Sequence, residues 1–299
     1  MFISYRYFTI SLLHSLSQIT LQKSAMTGLL FLLAIALNSP AMLFGCIVAT
    51  VTGLLVAKLC QFDSALIQGG LYGYNAALAG IAVLYFLPLN LASFILVIFS
   101  GALSTLLMHL MLTRQVTLSP LTMPFVLCSW VLFALIDVVG LIQLKHTEIL
   151  IPETFTLLHY FQASMRGVAQ VMFQDNWLSG IIFILALSFY SYKVAIWGIF
   201  GALLSTLLAV VFGFSTELIL LGVYGYNGCL VAIALSGIFP RRYGVIIAAV
   251  IATLFIMKIF EAASFPAFTA PFVLVTWLAT VIFSYAINIR ELIAIRIRK

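Results

Sequence analysis

Thr122 and Thr269 each stand two residues before a proline, in the matching stretches TMPFVLCSW at 122–130 and TAPFVLVTW at 269–277. Gln18 and Gln170 recur in register too, as do Asn75 and Asn227 inside GLYGYN at 70–75 and GVYGYN at 222–227. Hydroxyls and amides donate and accept hydrogen bonds without carrying charge. The chemistry open to such pairs is the handling of a neutral polar group. Acid–base groups are scarce by comparison. His14, His109, His146 and His159 form no matched pair, and neither Asp63 nor Asp137 sits in a Gly-x-Gly-Asp or Tyr-Asp context. No Gly-x-Ser-x-Gly or His-Glu-x-x-His run occurs, so catalysis is set aside. Cys46, Cys60, Cys128 and Cys229 lie singly in apolar runs without metal or redox spacing, so no metal or cofactor is expected.

The elements that must position these residues belong in lipid. Of 299 residues, 64% are hydrophobic and 7% charged, with mean hydropathy +1.23; a soluble domain carries about 25% charged residues. The sequence therefore reads as an all-α, multispan membrane protein. A span takes about 20 apolar residues, and apolar runs predict spans at 25–38, 41–60, 72–91, 92–112 and 121–143. A second set follows at 177–191, 194–213, 224–239, 243–260 and 270–288. Residues 9–22 and 161–173 precede the two sets, and 63–71 and 215–222 lie inside them. These four stretches are too short to cross and too apolar for loops, which predicts re-entrant or half-membrane helices whose ends are covered by protein. The N-terminal stretch lacks a signal-peptide pattern and is read as retained structure.

Ten spans with both termini cytoplasmic leave only Lys145, Arg166 and Lys258 on the outside, a strong positive-inside bias. The basic tail RELIAIRIRK is then an anchor beside anionic lipid, and the net charge of +6 does not indicate nucleic acid.

A shift of 152 residues brings Gln18, Gln22 and Gly28 onto Gln170, Gln174 and Gly180, and the first GYN turn onto the second. With five fewer residues of spacing the two proline boxes also align. The chain is read as two repeats, 1–150 and 151–299, each with a pre-span helix, five spans and a re-entrant helix. An odd span count turns the second copy upside down, and inverted repeats place their site where the copies face each other.

Each repeated residue then has a bland and a functional reading. Thr122 and Thr269 either cap a helix or present a hydroxyl to a lumen, and recurrence in both copies favours the lumen. Gln18 and Gln170 are read as lining a pathway, with Leu21 and Phe173 three residues on, on the same helical face. Leu78 and Leu230 follow the GYN turns at equal distance. Asn75 and Asn227 are assigned to the sharp turn that Gly73 and Gly225 permit. Glu217 is a candidate for a pore mouth, Asp63 a helix N-cap, and Asp137 a hydrogen-bonded structural or outer-mouth residue.

These motifs resemble the urea transporter family. GLYGYNAALAG and GVYGYNGCL are similar to its repeated G-L-x-G-[YF]-N-x-x-L signature. MRGVAQVMFQDN at 165–176 resembles its R-G-x-x-Q-V-x-F-x-x-N pattern, and FPAFTAPF at 265–272 its L-P-x-x-T-x-P-F box. The first half departs from it: SLSQITLQKS at 15–24 lacks the Arg, Gly, Phe and Asn, and Ser119 stands where proline is usual. The resemblance covers essentially the whole chain and implies a bacterial-type urea channel, a homotrimer in the inner membrane with one passive pore per protomer. It also implies that Gln18, Gln170, Leu21, Phe173, Glu217, Thr122 and Thr269 line the filter, with Leu78 and Leu230 nearby. Urea or a small neutral amide would be the solute. A coupled secondary transporter is the alternative, since inverted repeats serve both.

Overall fold

The computed structural model describes residues 5–114, 118–139, 151–152 and 154–297, with side chains there except at 137–139 and 284–297. Among the described residues there are helices and connecting turns but no strand. The first run comprises α1 (Tyr5–Gln18), α2 (Ala25–Asn38), α3 (Pro40–Leu59), α4 (Ser64–Gln68), α5 (Tyr74–Phe86), α6 (Leu91–Thr113) and α7 (Met123–Val139). The second comprises α8 (Leu157–Ala169), α9 (Trp177–Tyr190), α10 (Tyr192–Val211), α11 (Thr216–Leu220), α12 (Gly225–Ile238), α13 (Tyr243–Ala262) and α14 (Ala270–Ile297). Element by element, the second run repeats the order of the first.

The starts and stops follow from local chemistry. The Asp63 carboxylate accepts from the Ala65 and Leu66 N–H groups and caps α4, as expected for that residue. Ser215 does the same for α11 through the Leu218 N–H. Ser39 ends α2 and caps α3, whose first residue is Pro40, a position where the missing N–H costs nothing. Asn90 and Ser93 form a reciprocal capping box at the head of α6.

Each of the ten apolar runs contains one helix, but they differ in reach. Among the residues described with side chains, α3, α6, α10 and α13 alone are long and apolar enough to cross a bilayer singly. The continuous stretch Leu157–Met172 and α9 pass that test together as a pair bent by 72°. By length and composition the described residues thus hold four such helices, or five with the bent pair, and the other apolar runs contain shorter helices. Helices α2, α5 and α12 hold 13 or 14 residues. At 1.5 Å per residue they extend roughly 20 Å, short of the ~30 Å hydrocarbon core. Breaks at the glycine turns and at Leu21 and Phe173 fall where the sequence separates the short stretches from the apolar runs.

Burial sorts the helices into layers. Every residue of α5 from Tyr74 to Leu84 is buried, and α12 is buried almost as completely. A helix apolar on all sides belongs in the middle. Helix α5 packs between α3 and α6, and α12 between α10 and α13. These outer helices turn large apolar side chains such as Leu55, Ile95, Ile196 and Phe255 outward, a surface suited to lipid tails.

Candidate functional site

The hydroxyls of Thr122 and Thr269 meet, Oγ1 to Oγ1, at 2.6 Å. Both threonines are almost fully buried, with 1% and 3% of their surface exposed. Each opens a proline box whose preceding residue is left-handed: Leu121 at φ 48° and Phe268 at φ 44°. Non-glycine residues there carry strain of about 1–3 kcal/mol, so something must hold them. The GYN turns do. The Tyr74 hydroxyl and Asn75 Nδ2 both donate to the Leu121 carbonyl, and Asn75 Oδ1 accepts the Phe125 N–H at 3.0 Å. Tyr226 and Asn227 hold the Phe268 carbonyl and the Phe272 N–H in the same way.

The asparagines therefore satisfy backbone groups of another segment, the start of α7 or α14, rather than their own turn. Gly73 lies in the turn, its N–H donating to the Gly70 carbonyl, but its φ of −103° is open to any residue. A Cβ there would lie 2.2 Å from Ser15 Oγ, so glycine is required by close approach to α1. A Cβ on Gly225 would lie 2.9 Å from the Gly167 Cα, and Gly225 shows no positive φ. The positive-φ glycines of these turns are Gly70 and Gly222, at φ 80° and 78°. The left-handed position of each turn is thus its first glycine, while Gly73 and Gly225 close it by donating to the Gly70 and Gly222 carbonyls.

Contacts between the two runs are reciprocal. Trp130 Nε1 donates to the Pro266 carbonyl at 2.8 Å, and Trp277 Nε1 donates to the Ser119 carbonyl at 2.7 Å. Thr27 Oγ1 donates to the Ala186 carbonyl, and Ser179 Oγ to that of Ala34. Exchange of equivalent bonds between matched residues is the mark of a self-complementary interface. Thr122 and Thr269 stand where it brings equivalent residues face to face.

Gln18 and Gln170 spend their Nε2 groups on the C-terminal ends of the short helices. Gln18 donates to the Gly69 carbonyl and Gln170 to that of Leu221. His14 reaches the Gln68 carbonyl, and its register partner Arg166 reaches that of Leu220. Half-membrane helices end with free carbonyls, and these side chains satisfy them. The Oε1 atoms of Gln18 and Gln170 have no hydrogen-bond partner among the described residues, so an acceptor remains on each. Leu21 and Phe173 follow in left-handed conformations, φ 61° and 59°. Leu78 and Leu230 are fully buried, three residues after Asn75 and Asn227 and on the same helical face. Glu217 is exposed in the first turn of α11, and no side-chain hydrogen bond joins it to the threonine pair among the described residues. The Asp137 side chain and His146 lie outside what is described.

The ends of this arrangement differ. Phe173 and Phe268 lie 6.3 Å apart between ring centres, with Phe125 at 5.6 Å from Phe268 and Tyr85 at 5.3 Å from Phe173. Phe86 joins them at 6.3 Å from both. The register partners on the other side are Leu21, Leu121, Phe272, Gly237 and Ile238. Sequence reasoning missed Tyr74 and Tyr226, although the doubled tyrosine in YGYN was the available signal. It also missed Phe268, whose counterpart Leu121 does not match it.

Residues 10–284 match the profile of the family described as urea transporter. Three mammalian proteins named urea transporter 1 are similar to the chain. The mouse protein is 28% identical over 255 residues, the sheep protein 28% over 254, and the rat protein 26% over 250. Each alignment covers 76% of this chain and 62% of the relative, so the chain spans about three-fifths of the length of the curated relatives it matches.

Proposed function

The chain belongs to the urea transporter family, and from that premise we propose that it is a channel for passive, selective permeation of urea. One observation carries the reading: a buried hydroxyl pair, Thr122 with Thr269, joins the two halves. When two hydroxyls share one hydrogen, the pair keeps one free O–H and several free lone pairs. It can therefore meet both the carbonyl and the N–H groups of urea.

Urea is planar, small and uncharged. Its faces suit the flat walls supplied by Leu21, Phe173, Leu78 and Leu230, and its edges suit hydroxyls and the open Oε1 atoms of Gln18 and Gln170. Each water hydrogen bond lost without replacement costs about 1–3 kcal/mol. A series of weak acceptors lowers that barrier without creating a trap, as conduction requires. An ion loses far more hydration than neutral groups return. The work is facilitated diffusion, without bond chemistry. Glu217 belongs to this passage at its mouth.

The surrounding arrangement is two oppositely inserted repeats, 1–150 and 151–299, supported by the reciprocal bonds between matched residues. The protomers form a homotrimer in a bacterial inner membrane, with both termini cytoplasmic, which accords with the placement of Lys and Arg. Stopped-flow urea efflux from proteoliposomes tests the reading. Wild-type protein conducts, whereas Thr122→Val, Thr269→Val and Gln170→Ala lose most of the flux while remaining folded. Undiminished flux in all three removes these residues from the passage.

A further inference from the structure

Ser129 is buried, with 4% of its surface exposed, and its Oγ has no hydrogen-bond partner among the described residues. A buried hydroxyl left alone costs about 1–3 kcal/mol, and serines and threonines in these helices ordinarily avoid that by bonding the carbonyl three or four residues back. Thr276, the register partner of Ser129, does so: its Oγ1 donates to the Phe272 carbonyl at 2.7 Å. Ser129 makes no such bond. It instead lines a cavity of about 20 Å³, together with Phe86, Phe133, Leu132, Ile136 and Phe268.

Phe268 ties that cavity to the proline box of the second half. Phe268 directly precedes Thr269 and belongs to the ring cluster around Phe173. Its size exceeds the ~10–15 Å³ that one water needs, which is also the scale of a single amino group. An aromatic wall with one free hydroxyl suits a flat solute that can turn one N–H toward the oxygen while its face rests on the rings. The matching positions on the other side, Ile238, Thr280, Leu121 and the self-satisfied Thr276, provide neither the rings nor the free hydroxyl.

We propose that Ser129 is a specificity-determining residue, a polar waypoint present at only one end of the passage, which takes an –NH2 group of a planar neutral amide inside the collar of Phe86, Phe133 and Phe268. The proposal rests on the channel reading and adds an asymmetry to it: solutes are sorted at the aromatic end, while the aliphatic end only conducts.

Proteoliposome efflux of urea and of N,N′-dimethylurea, whose N–H groups each sit beside a methyl that the ~20 Å³ cavity does not admit, separates the possibilities. Ser129→Ala lowers urea flux about five- to tenfold, the scale of one hydrogen bond in a barrier, and leaves dimethylurea flux unchanged, so the ratio of the two falls. Phe268→Leu, which gives the aromatic end the residue of its counterpart, raises dimethylurea flux relative to urea. Thr276→Val changes the ratio by less than twofold. An unaltered ratio in both Ser129→Ala and Phe268→Leu overturns the proposal, and if Thr122→Val abolishes flux in the same preparation the channel reading survives without it. If Thr122→Val and Thr269→Val also conduct normally, both fall together.

Discussion

Thr122 and Thr269 touch through their hydroxyls although 147 positions separate them in the chain. Neither oxygen has another partner among the described residues, so each threonine depends on the other.

That dependence makes the two positions energetically coupled. Thr122→Val or Thr269→Val alone leaves one buried hydroxyl unpaired and destabilises by about 1–3 kcal/mol. The double variant loses clearly less than the sum, because no orphan remains. Denaturant unfolding of all four proteins in detergent measures the coupling, and strict additivity contradicts the pairing.

Asn75 bridges α5 to the start of α7 with its amide buried, and Asn227 does the same for α12 and α14. Asn75→Ala frees the Leu121 carbonyl from one donor and the Phe125 N–H from its only side-chain acceptor. The variant melts well below wild type and loses flux, since the strained Leu121 turn positions Thr122. Asn75→Leu, similar in size, fails alike. A full-strength melt from either variant refutes the bridging role.

Glycines separate by what surrounds them. Gly73→Ala places a methyl 2.2 Å from Ser15 Oγ, whereas Gly244→Ala meets nothing within 4 Å. Gly73→Ala lowers yield and melting temperature. Gly244→Ala is neutral or stabilises by about 0.5–1 kcal/mol through helix propensity. Equal behaviour of the two contradicts the packing.

Passive permeation has its own signature. Urea flux rises in proportion to concentration over a wide range and ignores imposed sodium and proton gradients. Counter-flow driven by either gradient returns the coupled transporter to first place.

Much of this was legible because the chain is written twice. The proline boxes, the GYN turns and the paired glutamines stand out when the sequence is laid over itself, and the structure brings both threonines to one point. What the overlay hides is whatever the copies do not share. Phe268 lies opposite Leu121, and Phe86 opposite Ile238, so the aromatic collar leaves no repeated trace. Partners distant in sequence are hidden as well. Asn75 next to a glycine reads as a turn residue, and only the folded chain shows its amide clasping a helix 50 residues further on. The tryptophans pose the same problem: their apolar bulk is visible in the sequence, but their donors reach carbonyls across the molecule.

Those tryptophans bear on how the protein is made. Trp130 is synthesised 136 residues before Pro266, whose carbonyl it needs. At roughly 5–20 residues per second the delay is on the order of ten seconds. During it, the early helices sit in the bilayer with an indole, a hydroxyl and several backbone groups unanswered. The nascent first half is thus chemically incomplete until its twin arrives.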